Sequence, residues 1–231
     1  MRIDDYVADL DRALSGPSGA KRDLVVEARD SLSDTADALE ADGLDRAEAE
    51  RLAVAEFGPV TEIAPGYQNE LTAAAGRRLG LLLFISVPLT ALMWSMVWRT
   101  YPADPALWMG RPAWYHLISK LLDVCQLATG LYGGLALLAL GRGARWIRRP
   151  HLVTRSLGIV VWGMLPLGGA MSLVLSYSPP GPGTMTGYLP AFLANLVTTA
   201  FWGLQIYGAT RCLRVSRTRR PAPASSASSA S

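Results

Sequence analysis

Residues 79–98 read LGLLLFISVPLTALMWSMVW, twenty residues without a charge, bounded by Arg77-Arg78 before and Arg99 after. A helix of that length rises about 30 Å, the thickness of the hydrocarbon core of a bilayer. A helix packed on a soluble core shows a polar face every few residues, and this stretch shows none. Three later stretches repeat the pattern. Residues 119–140 are apolar from Leu121 onward apart from Asp123 and Gln126, and 156–177 and 188–210 carry no charge. Water is absent from the bilayer core, so each span must satisfy its backbone internally, as a helix does. The fold expected is all-α, a small N-terminal helical bundle followed by a four-helix transmembrane bundle.

Charge divides the chain into the same two parts. Residues 1–70 hold 17 Asp and Glu against 7 Lys and Arg, whereas the rest holds 15 basic residues and only two acids, Asp104 and Asp123. The overall +3 therefore conceals an acidic domain and a basic one. The basic residues cluster at the ends of apolar runs, where lipid headgroups account for them and direct nucleic-acid binding is not expected. Arg142, Arg145, Arg148, Arg149 and Arg155 lie between the second and third spans, and Arg211, Arg214, Arg217, Arg219 and Arg220 follow the fourth. The positive-inside rule puts both clusters and both termini in the cytoplasm of a plasma-membrane protein. Trp98, Tyr101, Trp108, Trp114, Tyr115, Tyr177 and Tyr188 then form an outer aromatic belt. Residues 211–231 read as a basic and then disordered cytoplasmic tail ending PAPASSASSAS. The N-terminus lacks the basic-then-apolar pattern of a cleavable signal, which leaves the first span as an uncleaved anchor.

The acidic domain, residues 1–70, reads as three helices. Residues 3–14 place Ile3, Tyr6, Val7, Leu10 and Leu14 on one stripe, and Gly16-Pro17 breaks the pattern. Residues 18–41 place Leu24, Ala28, Leu32, Thr35 and Leu39 at helical spacing, with Gly43 as C-terminal cap. Asp45 is an N-cap candidate, with Glu48 positioned to reach back to its amide and Leu44 to staple against Ala49. The third helix buries Ala49, Leu52, Ala53 and Phe57 and ends at Gly58-Pro59. A short segment with Val60, Ile63 and Tyr67 follows, interrupted by Pro65. About fifteen apolar side chains make a small core, which implies support from a partner or from the adjacent span.

Residues able to carry chemistry are few. His116 and His151 have no ligating neighbour at metal spacing, Cys125 and Cys212 lack CxxC spacing, and no phosphate-binding glycine loop is present, so no catalytic, metal or cofactor residue is expected. Lys120 and Asp123 sit three apart at the outer end of the second span, close enough to pair on one helix face. Gln126 and Asn195 lie deeper and suit hydrogen bonds between spans. Gly130 and Gly134 form a GxxxG, and Ala191, Asn195, Thr199 and Gly203 a second small-residue stripe. Both suit close packing within the chain or between copies, which leaves oligomerisation open. Pro88, Pro166 and Pro190 lie in three spans and read as kinks.

The N-terminal segment resembles the HAAS-type signalling domain, also called the permease-prefix domain, of bacterial membrane proteins. Tyr6, Leu10 and Leu14, then Arg22, Glu27 and Leu32, carry the resemblance. So does the run Gly43-Leu44, Glu48-Ala49-Glu50, Ala53-Val54 and Phe57-Gly58-Pro59, closing at Ile63-Ala64. The resemblance implies a small membrane protein of a high-GC Gram-positive bacterium, encoded beside a PadR-like transcriptional regulator or related to transporter permeases. Asp30, Asp34, Asp37 and Glu40 offer an acidic face to a cytoplasmic protein partner. The expected function is a membrane-anchored regulatory or signalling protein, not an enzyme. The alternative is a small permease or transporter-associated subunit.

Overall fold

The computed structural model describes residues 1–100, 112–141, 150–176 and 189–217. The expected structure of the PAPASSASSAS tail, the Arg142–Arg149 cluster, and the belt residues Tyr101, Trp108, Tyr177 and Tyr188 lie outside these residues. The described residues form seven helices: α1 (Ile3–Ala13), α2 (Ser18–Ala41), α3 (Arg46–Phe57), α4 (Val60–Thr100), α5 (Ala113–Leu140), α6 (Pro150–Ser176) and α7 (Leu189–Arg217).

Helices α1–α3 close around the start of α4. Tyr6, Leu10, Leu32, Ala28, Ala49 and Leu71 are buried together, and Leu14 joins them just past the end of α1. In α2 the buried stripe is Leu24, Ala28, Leu32 and Ala36. Ala36 thus takes the place expected for Thr35, whose hydroxyl donates to the Ser31 carbonyl one turn back. In α3 the buried residues are Ala49, Ala53 and Val54, while Leu52 stays half-buried.

The turns between these helices are set by local chemistry. Gly43 has φ +99°, the Leu44 amide donates to Leu39 at 3.2 Å and the Gly43 amide to Glu40 at 2.9 Å. This paired closure is a Schellman cap, which requires a left-handed residue. Asp45 caps α3 by accepting from the Ala47 amide at 3.2 Å. The reciprocal bond expected from Glu48 is replaced by an ion pair with Arg51 at 3.2 Å. An exposed i, i+3 pair of this kind is worth about 0.2–0.5 kcal/mol.

The segment expected to break at Pro65 is instead the first part of one 41-residue helix. Pro65 costs α4 the bond to the Thr61 carbonyl, but it lies near the helix start, and Ala64, Tyr67 and Leu71 pack into the N-terminal core around it. Along α4 the buried residues run Leu71, Ala75, Leu79 and Leu83, passing from the first core into the second without a linker. A domain boundary at residue 70 therefore falls inside a helix about 60 Å long.

Helices α4–α7 each contain a stretch long and apolar enough to cross a membrane. They run antiparallel in sequence. α4 touches α5, α6 and α7, whereas α5 and α7 occupy opposite corners. Large apolar side chains face outward, with Leu92 68% and Leu117 70% exposed. The interior mixes Ala75, Ala136 and Ala209 with Leu79, Leu83, Leu157 and Val161, so the largest apolar area is still turned outward. A soluble bundle shows the reverse, and lipid is the solvent that this surface fits. Pro88 and Pro166 lie inside helices. Pro190 is the second residue of α7, where its missing amide has no intrahelical bond to lose, so the kink expected there does not arise.

Candidate functional site

The acidic face on α2 divides in two. Arg46 donates to Asp37 at 2.6 Å, to Glu40 at 3.2 Å and to Glu50 at 3.3 Å. Asp37 and Glu40 thereby hold the guanidinium above its ordinary pKa and share its single charge with Glu50, so the cluster stays net negative. Asp30 and Asp34 have no cationic partner among the described residues and, with Asp23 and Glu27, form a stripe along the exposed side of α2. Val26 is 48% exposed beside them. The unpaired acidic surface is therefore Asp23–Asp34, centred about two turns earlier than expected. The Arg46 clasp joins residues across the α2–α3 turn, and of its three partners only Glu50, at i+4, was legible as a helix pair.

Between the membrane helices, the bonds expected of Gln126 and Asn195 are made by other residues. The Gln205 amide donates to the Ser86 hydroxyl at 2.8 Å, and the Trp94 indole donates to Thr198 at 3.1 Å. Both pairs tie α4 to α7. Asn195 lies exposed, and its carbonyl accepts from Thr199. Gln126 lines a cavity of about 70 Å³ that all four helices bound, with Ser86, Thr129, Met164, Thr198 and Gln205 around it. Lys120 and Asp123 are both exposed and form no ion pair among the described residues. At i, i+3 their side chains leave the helix about 60° apart, and water or lipid headgroups compete for each.

The glycines pack within the chain. A Cβ on Gly130 would meet Val87 at 3.1 Å, and one on Gly134 would meet Phe84 at 2.8 Å. Gly133, absent from the expected motif, approaches α4 more closely still. His116 is exposed and stacks edge-on with Tyr115 at 6.0 Å. Among the described residues no three His, Cys, Asp or Glu side chains gather as metal ligands.

The run that carries the family resemblance turns out to be structural. Gly43 closes α2, Ala49, Ala53 and Val54 fill the core, and Gly58 turns the chain from α3 into α4 at φ +98°. The Tyr6 ring meets Phe57 edge-on at 5.7 Å, and its hydroxyl donates to the Gly58 carbonyl at 2.9 Å.

Fold and surface together define an all-helical protein, with an acidic helical domain fused to four membrane-type helices, consistent with a multi-pass membrane protein. Residues 5–66 match the HAAS family, which covers the N-terminal domain and the first turns of α4. No curated protein matches the chain, and no solved structure matches it. HAAS domains generally bind partner proteins.

Proposed function

We propose that this chain is a membrane-anchored regulatory protein whose N-terminal domain docks a cytoplasmic protein partner. The observation that carries the reading is the HAAS match over residues 5–66, on a domain whose core is closed while its Asp23–Asp34 stripe stays unpaired. A basic face on the partner suits that stripe, and a PadR-like transcriptional regulator is the partner that the resemblance favours. The same resemblance supports a permease-prefix relation and a high-GC Gram-positive source. In this reading both termini face the cytoplasm, the membrane is the plasma membrane, and the chain has no catalytic activity of its own.

The test is affinity capture with the full chain in detergent. Recovery of a transcriptional regulator supports the reading, with association slowed about tenfold or more when Asp23, Asp30 and Asp34 are changed to Asn. Recovery of nothing overturns it. A second reading, a small permease or transporter-associated subunit, draws on the central cavity. At about 70 Å³ that cavity has room for a few waters. Capture of an ATP-binding-cassette subunit would favour this second reading.

A further inference from the structure

The arginines at one end of the membrane bundle differ from those of the N-terminal domain. The ion pairs of the described residues all lie within residues 2–51. Arg77, Arg78, Arg155, Arg211 and Arg214 have no carboxylate partner among the described residues. Two of them turn to backbone carbonyls. Arg77 donates to Leu140, the last residue of α5, at 3.1 Å. Arg211 donates to Gly16, in the α1–α2 turn, at 3.0 Å.

The Arg211–Gly16 bond closes one side of a groove of about 460 Å³ between the first turn and the last helix, lined by Ser15, Gly16, Tyr207, Thr210, Arg211 and Arg214. Arg211 and Arg214 are one turn apart. Tyr207, one turn earlier, accepts a second Arg211 bond at 3.3 Å, which leaves its own O–H proton to donate. The groove offers donors and positive charge with no carboxylate in its lining. It also sits where α7 changes from outward-facing Leu204, Ile206 and Tyr207 to arginine, the depth at which headgroups meet a span.

We infer that this groove binds the phosphate of an anionic phospholipid, clamped by Arg211 and Arg214 and reached by the Tyr207 and Ser15 hydroxyls. A guanidinium has five N–H donors, so Arg211 holds the phosphate while keeping the Gly16 carbonyl. The lipid then belongs to the joint between the N-terminal domain and α7. Its acyl chains lie along the apolar flank of α7.

The experiment is lipid retention by the full chain, read by native mass spectrometry and thermal shift. Phosphatidylglycerol, phosphatidylcholine and inorganic phosphate are offered in turn. The expected result is preferential retention of phosphatidylglycerol with a raised melting temperature. The preference should fall about fivefold for Arg214→Gln and further for Arg211→Gln with Arg214→Gln, and should decline with salt. Arg155→Gln, at an arginine outside the groove, is expected to keep it. Equal retention of the two lipids, or an equal loss in Arg155→Gln, overturns the site. Saturation by millimolar inorganic phosphate with no lipid preference would show a free-anion site and overturn the lipid assignment. Arg214 is exposed and makes no bond to Gly16, so its variant tests the site even if Arg211→Gln weakens the joint itself.

Discussion

A Cβ placed on Gly80 would lie 2.8 Å from the carbonyl oxygen of Gly133, and one placed on Gly133 would lie 3.2 Å from that of Gly80. α4 and α5 therefore touch backbone to backbone at this crossing, and each position has room for hydrogen alone. Gly133→Ala also drives a methyl to 2.6 Å from the Leu83 Cβ, which must move. The expected loss is about 1–3 kcal/mol, read as a lowered unfolding temperature in detergent. Gly163 and Gly203 have nothing within 4 Å of a built Cβ. Alanine there is expected to be neutral or mildly stabilising, and equal damage at all four glycines would refute the close crossing.

Tyr6 contributes to the alkaline stability of the N-terminal domain. Burial, and then the nearby Tyr67, raise its pKa above the ordinary value of 10.0. Above pH 10 the unfolded chain loses this proton while the folded chain keeps it, so the unfolded state binds fewer protons and stability falls as pH rises. The contribution is complete below the unfolded pKa and is lost through the folded one. Tyr6→Phe should weaken this alkaline dependence, leaving the share of Tyr67, whose pKa burial, Glu27 and Glu70 also raise, and cost about 1 kcal/mol at neutral pH through the lost bond to Gly58. An unchanged alkaline melting profile in the variant would exclude the assignment.

Gln205 and Ser86 are both buried, at 7% and 1% exposure, between apolar helices. Gln205→Leu leaves the Ser86 hydroxyl without its cross-helix donor and should cost about 0.6–1.7 kcal/mol. Gln126→Leu and Asn195→Leu remove no bond between helices and should leave the melting temperature close to wild type. A larger loss at Asn195 than at Gln205 would show that the glue lies elsewhere, for instance in a second copy against the outward stripe.

The proposed orientation has its own readout. Reporters fused after residue 217 and ahead of residue 1 should both be active on the cytoplasmic side. An active outward reporter at either end would reverse the orientation that the arginine clusters imply.

Much of this architecture is legible residue by residue. Twenty uncharged residues between arginines name a spanning helix regardless of what surrounds them, because length and transfer free energy are properties of the segment itself. Gly43 and Asp45 mark the α2–α3 turn for the same reason, since caps are made by residues two to five apart. Pro65 misleads because proline propensity is local, whereas the packing of Tyr67 and Leu71 that carries α4 through it is not.

The sequence alone therefore determined the helical class, the four spans, the acidic and basic halves and the turns between the short helices. Tertiary structure alone decided that one rod joins the two parts, that Gly80 meets Gly133, and that Gln205 rather than Gln126 bridges the helices. It also decided that Arg46 pairs with Asp37 and Glu40 across the α2–α3 turn while Arg211 reaches back to Gly16. Helical periodicity states which residues share a face. Which face meets which neighbour depends on the rotation and depth at which whole helices pack, and that is set by the sum of many contacts distant in the chain.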